Sequence, residues 1–180
     1  KKMGIKGSST RSVILENCPV PVENVLGDIG RGHIIAFTIL NLGRYHLGFI
    51  CLGAAKRAFQ LAIKHVNERV QFNRTIASFT ATQEKVADMA IQIYAAESLL
   101  YRTAALLETV LGDKYEETDR KKIADGLSEF VIECSLCKVF GSETFDRVVD
   151  EALQLHGGYG FMQDCPVEQL YRDSRINRIF

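Results

Sequence analysis

The prolines of this 180-residue chain lie near its two ends, at Pro19, Pro21 and Pro166. The 144 residues between Pro21 and Pro166 contain none. Proline interrupts helices because it lacks an amide N–H and its ring clashes with the preceding turn. The same stretch is rich in Ala, Leu, Lys, Glu and Gln, which favour helices. The sequence therefore predicts one helix after another and excludes an all-β fold.

Apolar residues recur at helical spacing through most of this stretch. We predict helix over residues 33–69, with Gly43 as a break between a short first helix and a long second one. A third helix should end at Gly112, and a fourth should cover about residues 119–156. Short connections favour antiparallel neighbours. The expected fold is all-α, an antiparallel up-down four-helix bundle in residues 31–180.

Residues 1–30 differ from the rest of the chain. Residues 11–16 have the β-branched content of a strand, and the two prolines that follow force an extended, turning backbone. A single strand cannot fold alone. We therefore expect residues 1–30 to be the last strand and exit loop of a β-domain, or a tail packed on the bundle.

Composition excludes several functions. The 22 Lys and Arg residues balance the 22 Asp and Glu residues, which is not the charge of a nucleic-acid binder or a polybasic membrane anchor. The uncharged stretch 45–55 is too short to cross a bilayer, so we expect a buried helix segment. No secretory or transit signal opens the sequence.

The five cysteines are scattered and odd in number, which favours reduced thiols in an intracellular compartment. Cys134 and Cys137 have the spacing of half a zinc site or of a redox motif. They fall, however, on the apolar stripe of the fourth predicted helix, where cysteine acts as a small hydrophobic residue. The four histidines also lack metal-ligand spacing, so we predict no metal site.

Three glycines lie within four residues at the end of the fourth predicted helix, in Gln154-Leu-His-Gly-Gly-Tyr-Gly160. A helix C-cap and a turn explain one or two of them, but not three. Glycines let a backbone approach a ligand closely, and exposed amides suit a phosphate or a ring system. The context does not match the strand-turn-helix fingerprint of dinucleotide binding.

A second feature is Arg69-Val-Gln-Phe-Asn-Arg74, which pairs arginines with an aromatic residue. Arginine binds phosphate, and phenylalanine offers a flat surface to a heterocycle. A solvated helix end, with cations at the negative end of the helix dipole, would give the same pattern. Both interpretations stay open on the pattern alone.

Several segments, taken in order, resemble motifs in the C-terminal half of the acyl-CoA dehydrogenase family. The matching segments are Lys2-Met-Gly-Ile-Lys-Gly7, Val20-Pro-Val-Glu-Asn-Val-Leu-Gly27, Asn41-Leu-Gly-Arg44, Arg69-Val-Gln-Phe72, Gln154-Leu-His-Gly-Gly158 and Tyr171-Arg-Asp-Ser-Arg-Ile176. The resemblance implies that residues 1–30 end the middle β-domain of such an enzyme and that residues 31–180 form its C-terminal helical domain.

The resemblance also implies an FAD-dependent oxidoreductase of fatty acid β-oxidation. A glutamate would remove the α-proton of an acyl-CoA thioester while the β-hydrogen leaves as hydride to the flavin, giving a trans-2-enoyl-CoA. The α-proton is so weakly acidic that a carboxylate removes it only where preorganised donors stabilise the enolate oxygen in a dry site. The residues matched to FAD contacts, across a subunit interface, are Arg69, Gln71, Phe72, Gln154, Leu155, His156, Gly157 and Gly158.

On the substrate side, the resemblance implies that Arg44, and more loosely Asn41, line the substrate pocket, together with Phe180. In most of the family the catalytic glutamate follows the aromatic residue that Phe180 matches. Some branches place it beside Arg44, where this chain has Gly43. We therefore expect no catalytic residue within these 180 residues and no desaturation by them alone.

The partners implied are acyl-CoA as substrate, electron-transfer flavoprotein as electron acceptor, and further copies of the chain in a homodimer or homotetramer built through the bundle, without nucleic acid. The location implied is the cytoplasm of a bacterium or the mitochondrion of a eukaryote. Residues 71–73 and 82–85 favour the long- and very-long-chain branch. Two alternatives stay open: an acyl-CoA oxidase or flavin monooxygenase relative with the same bundle, and a non-catalytic assembly module.

Overall fold

The computed structural model describes residues 1–112 and 126–180, and it is mostly helical. The α-helices are α1 (Gly32–Glu68), α2 (Thr80–Leu111), α3 (Val131–His156) and α4 (Pro166–Ser174). A small antiparallel hairpin, β1 (Val70–Gln71) with β2 (Arg74–Thr75), joins α1 to α2. Short 3-10 turns cover Val22–Asn24, Ile76–Ser78, Gly157–Phe161 and Arg175–Arg178. The predicted all-α class is confirmed.

The predicted helix boundaries need one correction. Gly43 does not break the first helix, because α1 is continuous from Gly32 to Glu68. A single exposed glycine costs a helix only about 1 kcal/mol, which the packing of so long a helix outweighs. The end of α2 beside Gly112 and the end of α3 at His156 agree with prediction. The predicted start of the fourth helix lies outside the described residues, and α3 begins at Val131.

The strand predicted over residues 11–16 is not formed. These residues are irregular and exposed, and residues 1–31 contain no strand at all. A strand requires a neighbour for its backbone N–H and C=O groups, and none of the described residues offers one there. The β-branched content of the segment therefore has no sheet to join in this chain.

Helices that follow one another run in opposite directions. Lys56 of α1 pairs with Glu97 of α2, and Gly48 lies near Leu100, so residue numbers rise along one helix as they fall along the other. Between α2 and α3, Lys85 lies 2.5 Å from Glu151. As a result α1 and α3 are parallel to each other.

The two parallel helices touch through their backbones. A Cβ placed on Gly48 would lie 2.8 Å from the carbonyl oxygen of Cys137. A Cβ placed on Gly141 would lie 2.9 Å from the Cα of Gly48. Real side chains do not fit at such distances, so this crossing requires glycine on both helices. The close approach occurs at Gly48, whereas Gly53 on the same helix faces open space.

The core lies between α1, α2 and α3 and is closed on one side by α4. Its fully or almost fully buried members are Cys51, Leu52, Ala55, Ala58, Ala62, Met89, Ile93, Ala96, Leu100, Cys137, Phe145, Val148, Val149, Ala152, Cys165 and Val167. The predicted core placement of Cys134 and Cys137 is confirmed, since both thiols are free and buried. Burial raises the pKa of Cys51 and of Cys134 to about 11.

By length and composition alone, α1 is apolar enough to cross a membrane, and it is one such helix among the described residues. The uncharged stretch 45–55, expected to be a buried helix segment, is only partly buried: Cys51 and Ala55 are fully buried, whereas Ile50 is 65% exposed. The core helix of a soluble protein passes the same test. One face of α1 carries the small residues of the bundle core, and Lys56 pairs with Glu97 across to α2.

The chain after α4, residues 175–180, forms a C-terminal arm that turns back along α3. Arg178 donates to Asp146 of α3 at 2.6 Å. The N-terminal residues 2–10 lie against the arm and α4. Between them is a cavity of about 620 Å³, lined mostly by apolar groups that include Met3, Ile176 and Phe180.

Candidate functional site

The two segments predicted to contact a cofactor lie at the same end of the bundle. The hairpin follows the last residue of α1, and the glycine turn follows the last residue of α3. Because α1 and α3 are parallel, both segments leave the bundle together. The imidazole rings of His65 and His156 confirm this, since they stack with centroids 4.2 Å apart at an angle of 23°.

The hairpin displays an aromatic ring on a strained turn. Gln71 pairs with Arg74, so the turn between them consists of Phe72 and Asn73. Both have positive φ, 53° and 63°, as a type I′ turn requires. Asparagine adopts this conformation readily, but phenylalanine does not. Phe72 is nevertheless 85% exposed, and its ring meets the Phe79 ring edge-to-face with the centroids 6.2 Å apart.

The polar groups of the hairpin are also open. Arg69 and Gln71 are exposed, and no ion pair holds Arg69 among the residues that the structure describes. The Gln71 amide donates to its own neighbour, the Val70 carbonyl, at 2.8 Å. The guanidinium of Arg74 instead lies over the Phe79 ring, 4.0 Å from its centroid. Arg69 is thus the hairpin cation left for an external anion.

The three glycines after α3 lie in three different environments. Gly157 adopts φ +60°, a conformation that side chains rarely accept, and its N–H caps the helix at the Gln154 carbonyl. Gly160 is buried, and a Cβ there would lie 2.6 Å from the Leu153 carbonyl oxygen. Around Gly158, no atom of the described chain lies within 4 Å of a Cβ position, and its φ is ordinary. Backbone conformation therefore explains Gly157 and packing explains Gly160, whereas Gly158 is left unexplained.

The remaining predicted residues of this motif have mixed environments. Gln154 is exposed, whereas Leu155 packs against the core. His156 Nδ1 lies 2.7 Å from the Ala152 carbonyl oxygen, which can only accept, so this nitrogen donates. Burial, followed by the neighbouring His156, lowers the pKa of His65. The lowered pKa favours the neutral form of the His65 ring near pH 7.

The predicted substrate residues lie elsewhere, on α1 near the start of α3. Arg44 Nη1 donates to Asn41 Oδ1 at 2.8 Å, and the Arg44 charge is close enough to favour the thiolate of Cys134. A cluster of rings continues from this point, with Tyr45 edge-to-face on Phe49 at 5.1 Å between centroids and Phe49 on Tyr101 at 5.6 Å. Burial is the main cause that raises the pKa of Tyr45.

Phe180 lies in a different region, at the end of the C-terminal arm. It lines the cavity between the arm and the N-terminal residues, together with Ile5, Ile176 and Ile179. Hydrogen bonds from the amides of Ile179 and Phe180 to the Ile176 carbonyl fold the last residues into a turn. The structure thus brings Asn41 to Arg44 but shows no contact that joins either of them to Phe180 within the described ranges.

One residue of this site was missed by the sequence reasoning. His65 carries no motif, and its partner lies 91 positions away, so periodicity does not reveal the stack. Its position one helical turn before Arg69 is the signal that was available. Within residues 1–112 and 126–180, no group of three or more His, Cys, Asp or Glu side chains is suited to a metal ion.

The comparison with protein families gives one match. The model of the acyl-CoA dehydrogenase C-terminal domain matches residues 30–180. A probable acyl-CoA dehydrogenase of Bacillus subtilis is 56% identical over 182 residues, which cover all of this chain and 31% of that protein. A mitochondrial very long-chain specific acyl-CoA dehydrogenase of Rattus norvegicus is 40% identical over 180 residues, or 25% of its length.

A solved structure agrees with these relatives. The crystal structure of an acyl-CoA dehydrogenase complexed with FAD from Bacillus anthracis superposes with a TM-score of 0.96 at 56% identity. The superposition covers all of this chain and 31% of that one. The chain therefore spans about a third or less of the relatives that it matches here.

Proposed function

Because the chain belongs to the acyl-CoA dehydrogenase family, we propose that it forms the helical C-terminal part of an FAD-dependent enzyme that desaturates fatty acyl-CoA thioesters between Cα and Cβ. The observation that carries the proposal is the pairing of Gly158 with the exposed hairpin at one end of the bundle. An open backbone, a cation and an exposed aromatic ring are the groups that a flavin dinucleotide needs.

The residues at this end of the bundle fit FAD by their chemistry. Arg69 and the amide of Gly158 are donors for phosphate oxygens. The Phe72 ring offers a face to a flat heterocycle, and Gln71 adds an amide for hydrogen bonding. When bound, FAD supplies the acceptor for the hydride that leaves Cβ of the acyl group. We place these contacts across an interface between two copies of the chain.

On the substrate side, we place Arg44 and the rings beside it in contact with the acyl-CoA thioester. The bond to Asn41 orients the guanidinium and leaves its other N–H groups for an oxygen of the thioester substrate. Tyr45 and Phe49 are partly buried and present apolar surface near that cation, and Tyr101, which is 60% exposed, adds a third ring to the cluster. A dry site strengthens each electrostatic contact made to a developing enolate.

The base that removes the α-proton is proposed to be a glutamate directly after Phe180. The arm that carries this position is anchored to α3 by Arg178 and Asp146 at 2.6 Å. The buried amide of Asn177 donates to the Ser174 carbonyl at 3.1 Å and fixes the arm internally. These contacts give the end of the chain a defined place, as a base needs.

The proposal extends to partners and location. We place the enzyme inside the cell, with electron-transfer flavoprotein as its electron acceptor and with two or four copies joined through their helical domains. Exposed apolar side chains on the bundle, including Ile132 and Leu136 of α3, support such an assembly. We propose long-chain acyl-CoA as the substrate class, which the similarity to the rat very long-chain enzyme supports.

The test uses the protein of the relatives' length and compares Arg69→Ala and Gly158→Val with Arg57→Ala. Arg57 is an exposed arginine of α1 and serves as the matched control. The first two variants should bind FAD at least about tenfold more weakly, equal to about 1.4 kcal/mol, and the control should bind normally. The measurement is FAD titration followed by flavin absorbance.

Anaerobic mixing of the wild-type protein with long-chain acyl-CoA should then bleach the flavin and give an enoyl-CoA. A protein that binds FAD but is reduced by no acyl-CoA contradicts the proposed reaction. Rapid reoxidation of the reduced flavin by oxygen would favour an oxidase instead. A protein that takes up no FAD would favour an assembly module.

A further inference from the structure

The N-terminal segment 3–5 is held on α4 by contacts that none of the roles above uses. The Ile5 amide donates to Asp173 Oδ1 at 2.5 Å. Arg172 Nη1 donates to the Met3 carbonyl oxygen at 2.9 Å. Two adjacent side chains of α4 thus bind backbone groups on either side of Gly4, at a separation of almost 170 positions in the sequence.

Gly4 itself is required by this contact. A Cβ at this position would lie 2.5 Å from Asp173 Oδ1 and 2.6 Å from the Arg172 carbonyl oxygen. The second of these atoms belongs to the backbone of a helix, so it cannot move away alone. Only glycine lets the segment approach α4 this closely.

The conformation of Ile5 shows how closely the segment is constrained. Its φ is +45°, in the left-handed region, which a β-branched residue adopts only under constraint. Such strain costs about 1–3 kcal/mol and persists where surrounding contacts determine the backbone. The bonds from Ile5 to Asp173 and from the Ser8 amide to the Ile5 carbonyl, at 3.2 Å, are those contacts.

On the helix side, Arg172 is held in place by a second residue of α4. Arg172 forms a two-point pair with Glu168, with Nε to Oε1 at 2.5 Å and Nη2 to Oε2 at 3.0 Å. The hydrogen bond from Arg172 lowers the pKa of Glu168, so the pair stays charged at neutral pH. A guanidinium fixed on two points presents its third donor, Nη1, in a set direction.

The same helix continues directly into the C-terminal arm. Asp173 precedes Ser174, the last residue of α4, and the arm then runs to Phe180. The arm is attached to α3 through Arg178 and Asp146. The segment therefore contacts the arm's starting point, while the cavity of about 620 Å³ separates it from the arm's end.

We propose that Gly4, Arg172 and Asp173 form a clamp that positions the C-terminal arm, and with it the residue after Phe180, against the N-terminal segment 3–5. The clamp rests on the function proposed above, because the catalytic base is placed at the end of this arm. Its three members are positioning residues and do not touch the reacting atoms. A displacement of about 1 Å at a catalytic group lowers rates by up to about a hundredfold.

The test uses the full-length protein with bound FAD and three clamp variants. Asp173→Ala removes the acceptor of the Ile5 amide, and Gly4→Ala separates the same surfaces without touching Asp173. Asp173→Asn keeps an oxygen acceptor and is the conservative rescue. Asp88→Ala is the matched control, because Asp88 is an exposed carboxylate on α2, away from the clamp.

Two measurements are needed. Anaerobic stopped-flow mixing with a long-chain acyl-CoA gives the rate constant of flavin bleaching and the substrate Kd. Hydrogen exchange of the Ile5 amide reports the clamp directly. Asp173→Ala and Gly4→Ala should lower the rate constant by about tenfold to a hundredfold and speed exchange at Ile5. Their Kd values should stay within about twofold, since binding groups are untouched.

Asp173→Asn and Asp88→Ala should remain within about threefold of the wild-type rate constant. Unchanged exchange at Ile5 in Asp173→Ala overturns the clamp. Faster exchange with a wild-type rate constant overturns its positioning role. If the wild-type protein itself fails to bleach, the proposed reaction fails and the positioning role with it, but faster exchange in Asp173→Ala then still identifies the clamp as a structural contact.

Discussion

Replacing Gly48 by alanine should destabilise the chain, whereas the same replacement at Gly53 on the same helix should stabilise it. Both glycines lie inside α1, so both replacements gain the helix preference of alanine over glycine, about 1 kcal/mol. They differ in what the new methyl group meets. At Gly53 no described atom lies within 4 Å, and at Gly48 the Cys137 carbonyl oxygen lies at 2.8 Å.

The size of the difference follows from this contact. Forcing a methyl group into a packed core costs about 1–3 kcal/mol, and the upper part of the range applies because the obstacle is the backbone of α3. After the gain in helix preference, Gly48→Ala should lower the free energy of unfolding by about 1–2 kcal/mol. Gly53→Ala should raise it by about 0.5–1 kcal/mol.

Urea denaturation of the 180-residue chain, followed by far-ultraviolet circular dichroism, measures both changes. The midpoints should move in opposite directions at an unchanged m-value. In thermal unfolding the two variants should differ by roughly 5–10 °C. Gly141→Ala should behave like Gly48→Ala, since a Cβ there would lie 2.9 Å from the Gly48 Cα. If the free energies of unfolding of Gly48→Ala and Gly53→Ala agree within about 0.5 kcal/mol, the backbone contact between α1 and α3 is refuted.

Two further predictions concern titratable side chains. Iodoacetamide at about pH 8 should modify only Cys18 in the native chain, because the other four cysteines are buried and burial raises the pKa of Cys51 and Cys134 to about 11. A second adduct in the intact mass would contradict the burial of these four thiols. The pKa of His65 is lowered by burial and by His156. The contribution of His65 to the free energy of unfolding is therefore complete above the ordinary histidine pKa of about 6.5, and it is lost as the pH falls through the pKa of His65 in the folded chain. His65→Phe keeps a ring in the stack and should therefore flatten the fall in urea midpoint between about pH 7.5 and about pH 5. An unchanged slope would count against the lowered pKa of His65.

The helical class, the core stripe and the ends of two helices follow from local information. Periodicity identifies which positions face inward, and this is why Cys134 and Cys137 were correctly assigned to the core. A break at Gly43 was wrong because helix propensity is a small term that packing along a long helix overrides. The strand at residues 11–16 was wrong because strand formation depends on a neighbour that the described chain does not supply.

The candidate site could also be predicted only in part from local sequence. The motifs that contain Arg69 and Gly158 are visible in the sequence, but their common location follows from the parallel packing of α1 and α3. Neither that packing nor the stack of His65 on His156 has a local signature. The docking of Ile5 on Asp173 joins residues from the two ends of the chain, which no spacing rule connects.

The glycine contact also sets the angle at which α1 and α3 cross. From there to the histidine stack, each helix runs for about 25 Å, at 1.5 Å per residue. A rotation of about 5° at the contact would shift the hairpin by about 2 Å relative to the glycine turn, against a tolerance of about 0.5 Å for a preorganised site. A substitution at the crossing can therefore leave the bundle folded and still move the two segments proposed to contact FAD out of alignment. Angular accuracy, more than the energy of the contact, is then what limits which residues this crossing can accept.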